Sequence, residues 1–512
     1  MLSWTLKRRP CRRAEARRSR PCQEVLEERT VPAILSVTAA PFNADPTGVT
    51  DATAAIQNCI NAASSGDTVF FPNGTYKISF PTNPGTSPAI VLRSGVTLQG
   101  NGAANSVIRL ADAQPNYDAI FGAATPSTPL SNVEIDDLGI DANSQNNVIT
   151  STSQLPDGAG RYVVRVYQGN NIDIQDDHIF DIQDDDAITL NGTNLSNVTV
   201  ADNVFDHIGG APVDFDHSTI YTDCNNATIT GNTLASQDGA GTNGARTALD
   251  IHGNDQVVTN NSISGYRYGI NVSGSSGVGS DTQLYQNNTL TDVGAGFSIW
   301  ATPALSNVTI RDNSVEVNVD GWNGFFDGEG RAGIASSYGD DSPGQVNGLD
   351  IINNTITFTN YASTSRPNDW YINGIQLRGT ASQGPYSNVQ ILDNHIDHAL
   401  GAGIYLDQNM SNVDISGNII TDPGSSPQGA AIGNDNLSAI YLSSALRNTH
   451  IFDNIFIDDR TINAMQYGIL AETNLNGDDT YGGNILEIAS GAAVPEFAQG
   501  AGYVGPAWSY VR

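Results

Sequence analysis

A short pattern of alternating hydrophobic and polar residues recurs along the chain, each copy followed by an asparagine. Examples are NVTVADNVF from Asn197, NATITGNTL from Asn226 and NVDISGNII from Asn412. Alternation with period two predicts strands, and repeats of about 25 residues are typical of a solenoid. The asparagines predict a ladder of hydrogen bonds at one turn, where asparagine also tolerates a left-handed backbone. They are Asn203, Asn232, Asn261, Asn288, Asn313, Asn354, Asn394, Asn418 and Asn454.

A second strand pattern alternates with the first. It reads YGINVSG from Tyr268, NGIQLRG from Asn373 and AGIYLDQ from Ala402. We therefore predict an all-β parallel β-helix with two main strands plus turns in each rung. No internal domain boundary is expected within 86–485, and 486–512 is expected to form a C-terminal cap or tail.

The N-terminal part differs from the repeats. TDATAAIQNCINAASSG, from Thr50, places apolar residues on one face of a helix, and Thr50 or Asp51 can cap it. The open end of a solenoid needs a cover, so this helix is expected to cap the first rung. The predicted domains are a basic tail over 1–35, an N-terminal cap over 36–85 and the β-helix over 86–485.

The charge of the chain restricts its partners. The formal net charge is −31, with 23 basic and 54 acidic residues. Such a surface repels nucleic acid and anionic membranes, and it disfavours polyanionic sugars unless a cation or a cluster of arginines intervenes. No apolar run is long enough for a membrane span. EVLEERTVPA, from Glu24, resembles a short motif near the N-termini of many bacterial surface proteins, which implies a secreted or cell-surface protein; the oligomeric state stays open.

The segment FNADPTGVTDATAAIQNCINAASSGDTVFFPNGTYKI, from Phe42, and GVTLQGNG, from Gly95, carry a family resemblance. They resemble the start of the pectate-lyase-like superfamily, in the branch of rhamnogalacturonase-type hydrolases, alginate epimerase-like proteins and phage tailspikes. The resemblance implies a right-handed, single-stranded parallel β-helix and action on a polysaccharide.

The alternation also predicts which side chains face outward. In PVDFDH the core positions are Val213 and Phe215, so Asp214 and Asp216 face solvent. In ALDIHG the outward residues are Asp250 and His252. We expect the two segments to form consecutive rungs, which places the four groups on one face, and we predict that they are catalytic.

Two carboxylates on one face suit a glycoside hydrolase, the favoured function. Residues i and i+2 of a strand lie about 6.6 Å apart, so the Asp214–Asp216 pair fits an inverting hydrolase. Neighbouring strands lie about 4.8 Å apart, so the Asp214–Asp250 pair fits a retaining one. The first alternative is a polysaccharide lyase or uronate C5-epimerase, with an arginine or His252 as base. Here Asp214, Asp216 and Asp250 would bind Ca²⁺; a hydrolase requires no cofactor. The second alternative is a non-catalytic carbohydrate-binding surface protein.

Further residues on this face are predicted to bind substrate. They are Arg165, Tyr167, Asp186, Arg267, Trp300 and Arg378. Long insertions between strands carry aromatic residues that either stack on sugar rings or pack the insertions onto the solenoid. They are Trp322, Phe325, Phe326 and Trp370.

Overall fold

A computed structural model gives the architecture for most of the chain. It describes residues 31–80, 87–114, 118–148, 161–183, 186–209, 218–236, 246–275, 277–301, 304–322, 331–336, 344–363, 372–378, 385–407, 409–427, 437–443, 446–461, 464–472, 478–499 and the backbone of 509–510.

Three stacks of parallel strands form the described solenoid, so each rung has three strands rather than the two predicted. We name them the repeat stack, the third stack and the cleft stack, in the order in which the chain passes through a rung. Two long strands, Asp186–Ala201 and Ser218–Thr230, run through the cleft stack into the repeat stack.

The other strands of the repeat stack are Ile34–Ser36, Thr68–Phe71, Thr97–Gly100, Leu130–Asp136, Gly169–Gln175, Gln256–Thr259, Ser280–Gln286, Ala304–Arg311, Gln345–Ile352, Tyr386–Leu392, Met410–Ser416, Leu446–Phe452, Thr480–Gly482 and Ser509–Tyr510. Those of the third stack are Gly74–Ile78, Ser106–Leu110, Gly139–Asp141, His178–Ile182, Val204–Ile208, Thr233–Ser236, Ser262–Ser264, Thr289–Val293, Ser314–Asn318, Thr355–Thr359, His395–Asp397, Ile419–Thr421, Ile455–Asp458 and Ile485–Ile488. Those of the cleft stack are Ile90–Val91, Ala119–Gly122, Tyr162–Val166, Thr247–His252, Tyr268–Ser273, Ala295–Trp300, Ala332–Ser336, Asn373–Arg378, Ile404–Asp407, Ser438–Leu442, Tyr467–Ala471 and Phe497–Gln499.

The sequence did not predict the third stack, because several of its strands are short. Ser262–Ser264 and His395–Asp397 have three residues each, which is too few for an alternation to stand out. Each follows the recurrent asparagine directly, so the sequence pattern merged it with the turn. The alternation itself is confirmed, because inward residues of the three stacks form one continuous cluster of buried apolar side chains.

The predicted asparagine ladder is present and buried. Asn261 Nδ2 donates to Asn288 Oδ1 at 2.9 Å, and Asn288 Nδ2 donates to Asn313 Oδ1 at 3.0 Å. Each amide also donates to a backbone carbonyl of the preceding rung, as Asn288 does to Val258 O at 2.9 Å. The ladder satisfies buried polar groups at every rung, which an apolar side chain could not do.

The left-handed backbone lies one residue earlier than predicted. Asn260 has a φ of 57° and Asn287 a φ of 56°, and each directly precedes a ladder asparagine. The ladder asparagines Asn261 and Asn288 are not among the residues with positive φ. Asparagine therefore recurs at the ladder position because of its hydrogen bonds, and the residue before it adopts the left-handed backbone of the turn.

An aspartate continues the ladder at its N-terminal end. The backbone N–H of Asp177 donates to Asn203 Oδ1 at 3.0 Å, as the ladder asparagines do to their successors, and Asp177 Oδ1 accepts the N–H of Leu138 at 2.8 Å. Its Oδ2 is buried and has no hydrogen-bond partner among the described residues. Burial raises the pKa of Asp177 well above its usual range. Burial of the unpaired Oδ2 thus favours the protonated carboxyl.

We expect Asp177→Asn to stabilise the protein by roughly 1–3 kcal/mol at neutral pH, because an amide replaces a buried acid at a ladder position. The folded state holds the proton more tightly than the unfolded state does. The wild type is therefore most stable below the ordinary pKa of aspartate and loses stability as the pH rises towards the folded-state pKa. Urea unfolding at acidic and neutral pH should show an advantage for the variant that grows with pH; a constant difference would contradict this.

The predicted helix exists and spans Thr53–Ala62, with Ile56, Cys59 and Ile60 buried in the core cluster. It has no side-chain cap hydrogen bond, although Asp51 Oδ1 accepts the N–H of Thr53 at 2.8 Å. Its function as a cap of the solenoid stays a prediction.

Candidate active-site cleft

The pairing of the cleft stack corrects the predicted register at one rung. Asp250 pairs with Tyr221, and His252 pairs with Asp223. The rung before Asp250 is therefore formed by TIYTDC, from Thr219, rather than by PVDFDH. The outward positions assigned to Asp214 and Asp216 belong to Tyr221 and Asp223.

Asp214 and Asp216 themselves lie outside the described residues, so their catalytic function stays a prediction. The strand that follows them begins at Ser218, which pairs with Thr247. Thr247 lines the cleft described below.

Asp250 and His252 meet as predicted, on the outward face of the strand Thr247–His252. His252 Nε2 lies 3.2 Å from Asp250 Oδ1, and each side chain is about one-fifth exposed. Ser273 Oγ, from the next rung, donates to the same oxygen at 3.4 Å. The described residues leave Asp250 Oδ2 without a hydrogen bond, and this oxygen can therefore receive a ligand.

His252 is held on three sides. Its Nδ1 lies 2.8 Å from the carbonyl oxygen of Gly274, which requires a proton on Nδ1. The ring of Tyr221 packs against it, with 5.0 Å between ring centroids. A proton on Nε2 as well would satisfy Asp250, so the contacts favour the doubly protonated imidazolium.

The electrostatics agree with this protonation state. Burial by itself lowers the pKa of His252. The hydrogen bond and the charge of Asp250 oppose burial, and together with the Gly274 carbonyl and the charge of Asp223 they raise the pKa above its ordinary value. This direction favours the charged imidazole beside the Asp250 carboxylate.

A cleft of about 210 Å³ opens over this pair. It is lined by Arg246, Thr247, Asp250, His252, Tyr268, Asn271, Ser273, Gly274 and Trp300. Aromatic walls beside polar groups suit a sugar ring, and a carboxylate beside an imidazolium can move a proton.

Two predicted binding residues lie at or beside the cleft. Trp300 lines it and pairs with Ser273 in register, which places it two rungs after His252. The guanidinium of Arg267 lies 5.3 Å from the ring centroid of Tyr268, a lining residue. Arg246, which the sequence analysis did not single out, is a further basic group at this point.

Three other predicted binding residues have contacts within the protein. Both terminal nitrogens of Arg165 bond to Asp118, and the ion pair is buried. The guanidinium of Arg165 lies 5.3 Å from the ring centroid of Tyr167. Burial raises the pKa of the Tyr167 phenol. Asp186 accepts hydrogen bonds from Thr189 Oγ1 at 2.6 Å and from the Ser218 N–H at 3.1 Å. Their contact with substrate stays a prediction.

Arg378 lies far from the acid–base pair. It is buried, its Nε lies 3.6 Å from Asp407 Oδ2, and its guanidinium is 5.5 Å from the ring centroid of Tyr405. Four rungs separate it from His252, or about 19 Å at the usual strand spacing. Arg378 lies on the same stack of strands as the cleft but does not line the cleft.

Among the insertion aromatics, Trp322 packs on the solenoid. It is buried against Ala295 and Tyr268, and its Nε1 donates to Asp292 O at 3.0 Å. Phe325, Phe326 and Trp370 lie outside the described residues.

Residues that sequence reasoning missed complete the cleft and its surroundings. They are Tyr221, Asp223, Arg246, Asn271 and Ser275. Asn271 follows from the same alternation as Asp250, since the two are register partners. Tyr221 and Asp223 required the correct strand, and Ser275 lies in a turn that carries no pattern.

Within the described ranges, no group of three or more histidine, cysteine, aspartate or glutamate side chains is placed to hold a metal ion. The Ca²⁺ prediction depends on Asp214 and Asp216, so it stays a prediction. No helix in the described part of the chain is long and apolar enough to cross a membrane.

The family models and the solved structures agree on the fold. Residues 36–252 match the family model of rhamnogalacturonase A/epimerase, pectate lyase-like, and residues 247–479 match that of the right-handed beta helix region. The tailspike protein of E. coli bacteriophage HK620, in complex with pentasaccharide, has a TM-score of 0.66 at 18% identity over 92% of this chain and 80% of that chain. A mutant of that tailspike, in complex with hexasaccharide, has a TM-score of 0.67 over the same shares.

Curated relatives match a shorter region. Mannuronan C5-epimerase AlgE4 of Azotobacter vinelandii is 35% identical over 107 residues, which cover 20% of this chain and 19% of that protein. Mannuronan C5-epimerase AlgE1 of the same organism is 34% identical over 107 residues, which cover 20% of this chain and 8% of that protein. The chain thus spans about a fifth or less of the epimerases that it matches.

The chain thus has a parallel β-helix fold like that of the tailspike, with a rhamnogalacturonase A/epimerase, pectate lyase-like match over residues 36–252 and a right-handed beta helix match over residues 247–479.

Proposed function

We propose that this protein modifies a uronate-containing polysaccharide by proton transfer at the Asp250–His252 pair, as a C5-epimerase. The proposal rests mainly on one observation: an acid–base pair and arginines lie at the same cleft. Arg246 lines it and Arg267 packs on its wall, in a chain whose net charge is −31. An arginine cluster is the condition under which so acidic a protein can bind a uronate.

The chemistry follows from these groups. The C5 hydrogen of a uronate is adjacent to a carboxylate, so its removal places negative charge on that carboxylate. Asp250 Oδ2 is available to accept the proton, and guanidinium groups at the cleft stabilise the developing charge. Return of a proton from solvent water to the opposite face of C5 gives the epimer, and Asp250 releases the proton that it accepted to solvent. Loss of the 4-linked sugar instead gives the unsaturated product of a lyase.

The match to mannuronan C5-epimerases favours epimerisation over elimination. Because that match covers a fifth of the chain, the activity and the substrate are proposals for this protein. The tailspike structures contain bound oligosaccharides, which is compatible with a glycan at this fold's outer face.

A glycoside hydrolase is the second candidate. The net charge of −31 favours a neutral glycan, and the strand that follows Asp214 and Asp216 enters the rung beside the cleft. One of these aspartates with Asp250 would supply the two carboxylates that hydrolysis requires.

Incubation with mannuronan and with neutral glycans separates these functions. We expect inversion at C5 of mannuronan, seen by proton nuclear magnetic resonance, without new reducing ends. New reducing ends without ultraviolet absorbance would establish the hydrolase instead, and absorbance of an unsaturated uronate would establish a lyase. Binding without any product would leave a carbohydrate-binding protein and overturn the proposal.

A further inference from the structure

Asp223 and the turn at Gly274–Ser275 lie next to His252, whose Nδ1 faces the turn and whose Nε2 faces Asp250. Asp223 is the register partner of His252 in the preceding rung, at the usual spacing of about 4.8 Å between strands. Ser275 Oγ donates to Asp223 Oδ1 at 2.6 Å, and the adjacent Gly274 carbonyl lies 2.8 Å from His252 Nδ1. Two consecutive residues of one turn therefore contact both the carboxylate and the imidazole.

This turn is itself anchored. The hydroxyl of Ser280 accepts the N–H of Ser275 at 2.9 Å and that of Gly253 at 3.1 Å. The side-chain amide of Gln283 donates to the carbonyls of Gly253 and Ser273, each at 3.0 Å. The backbone on both sides of the imidazole is thus tied to one strand, Ser280–Gln286.

Gly253 brings the segment after His252 against the strand that carries Asp223. Its φ is 96°, and a Cβ at this position would lie 1.9 Å from the Cys224 carbonyl oxygen. Only glycine fits such an approach. The close contact keeps the His252 turn next to Asp223 even though no direct hydrogen bond joins the two side chains.

We propose that Asp223, held by Ser275, is a positioning residue that fixes the Gly274–Ser275 turn and so keeps the imidazole of His252 aimed at Asp250. The inference rests on the proposed function, because it assigns the unit to the acid–base step of that reaction. With Nδ1 bound to Gly274 and Nε2 beside Asp250, the imidazolium serves as a fixed cation. Asp250 is then the group of this pair that exchanges a proton with substrate.

Among the described residues, five ionisable groups lie around the imidazole. They are Asp250 from its own strand, Asp223 and Tyr221 from the preceding rung, and Arg246 and Tyr268 along the cleft. The two carboxylates favour the charged imidazole, and the charge of Asp223 contributes to the raised pKa of His252. Removing Asp223 removes one of two negative charges close to the ring.

The test measures the titration of His252 by histidine hydrogen–deuterium exchange, in the full chain without substrate. Asp223→Asn is expected to lower the pKa of His252 by about 1 pH unit, and Ser275→Ala to lower it less. Asp350→Asn, an outward position on the repeat stack, is the control and is expected to leave it unchanged. With substrate, the alkaline limb of the kcat/KM profile should move to lower pH in Asp223→Asn and stay in place in Asp350→Asn.

An unchanged His252 titration in folded Asp223→Asn would overturn the inference. If that variant does not fold, Ser275→Ala decides, and an unchanged titration there has the same consequence. Because the titration needs no substrate, it can succeed in a protein that proves inactive on mannuronan. Failure of the inference and failure of the proposed function are therefore separate results.

Discussion

Replacement of Asp250 by asparagine is expected to lower kcat on mannuronan by roughly 10²–10⁴-fold, the usual contribution of a general acid or base. The carboxamide has nearly the same shape, and its oxygen can still accept the hydroxyl of Ser273, which bonds to Asp250 Oδ1 at 3.4 Å. It cannot accept a proton from C5. It also removes the negative charge that lies 3.2 Å from His252 Nε2.

The loss should fall on kcat, with KM changed little, because aromatic walls and arginines of the cleft remain. Steady-state kinetics and glycan binding by calorimetry measure the two quantities separately. Asp350→Asn again serves as the matched control, since it makes the same chemical change outside the cleft. Full activity of Asp250→Asn would remove Asp250 from the catalytic step.

The second large effect concerns the buried ladder. Asn288→Ala is expected to lower the free energy of unfolding by about 4 kcal/mol, because it breaks four buried hydrogen bonds, at roughly 1 kcal/mol each. Asn288 Oδ1 accepts the N–H and the side-chain amide of Asn261, at 3.1 and 2.9 Å. Its Nδ2 donates to Val258 O and Asn313 Oδ1, at 2.9 and 3.0 Å.

An exposed asparagine provides the control for this substitution. Asn347 Oδ1 accepts hydrogen bonds from Asn388 Nδ2 at 2.7 Å and Ser387 Oγ at 3.0 Å, both in exposed positions. Water can replace these bonds, so Asn347→Ala should cost less than about 1 kcal/mol. Urea unfolding of both variants measures the difference. Equal destabilisation would mean that burial of the ladder does not contribute as argued.

The fold was largely predictable because its two main signals are local. Alternation marks inward and outward residues, and the recurrent asparagine marks one turn of every rung. Asp250 and His252 were found from alternation alone, since Leu249 and Ile251, which alternate with them, are apolar and buried.

The preceding rung was mistaken because a polar residue occupies a core position. In TIYTDC the inward residues are Ile220 and Thr222, and Thr222 is fully buried. PVDFDH, with Val213 and Phe215, fits the alternation better by composition alone. Pairing across strands, which no single segment encodes, decided between them. The same limit hid Ser275, whose importance comes from contact with a residue 52 positions away.

The most direct test of the proposed chemistry is solvent exchange at C5. Mannuronan is incubated with the wild type and with Asp250→Asn in deuterium oxide, and deuterium at C5 is followed by nuclear magnetic resonance. The account predicts incorporation at C5 with inversion for the wild type, reduced in Asp250→Asn in proportion to its kcat. Cleavage of a glycan without any exchange at C5, or exchange that is undiminished in Asp250→Asn, would contradict it.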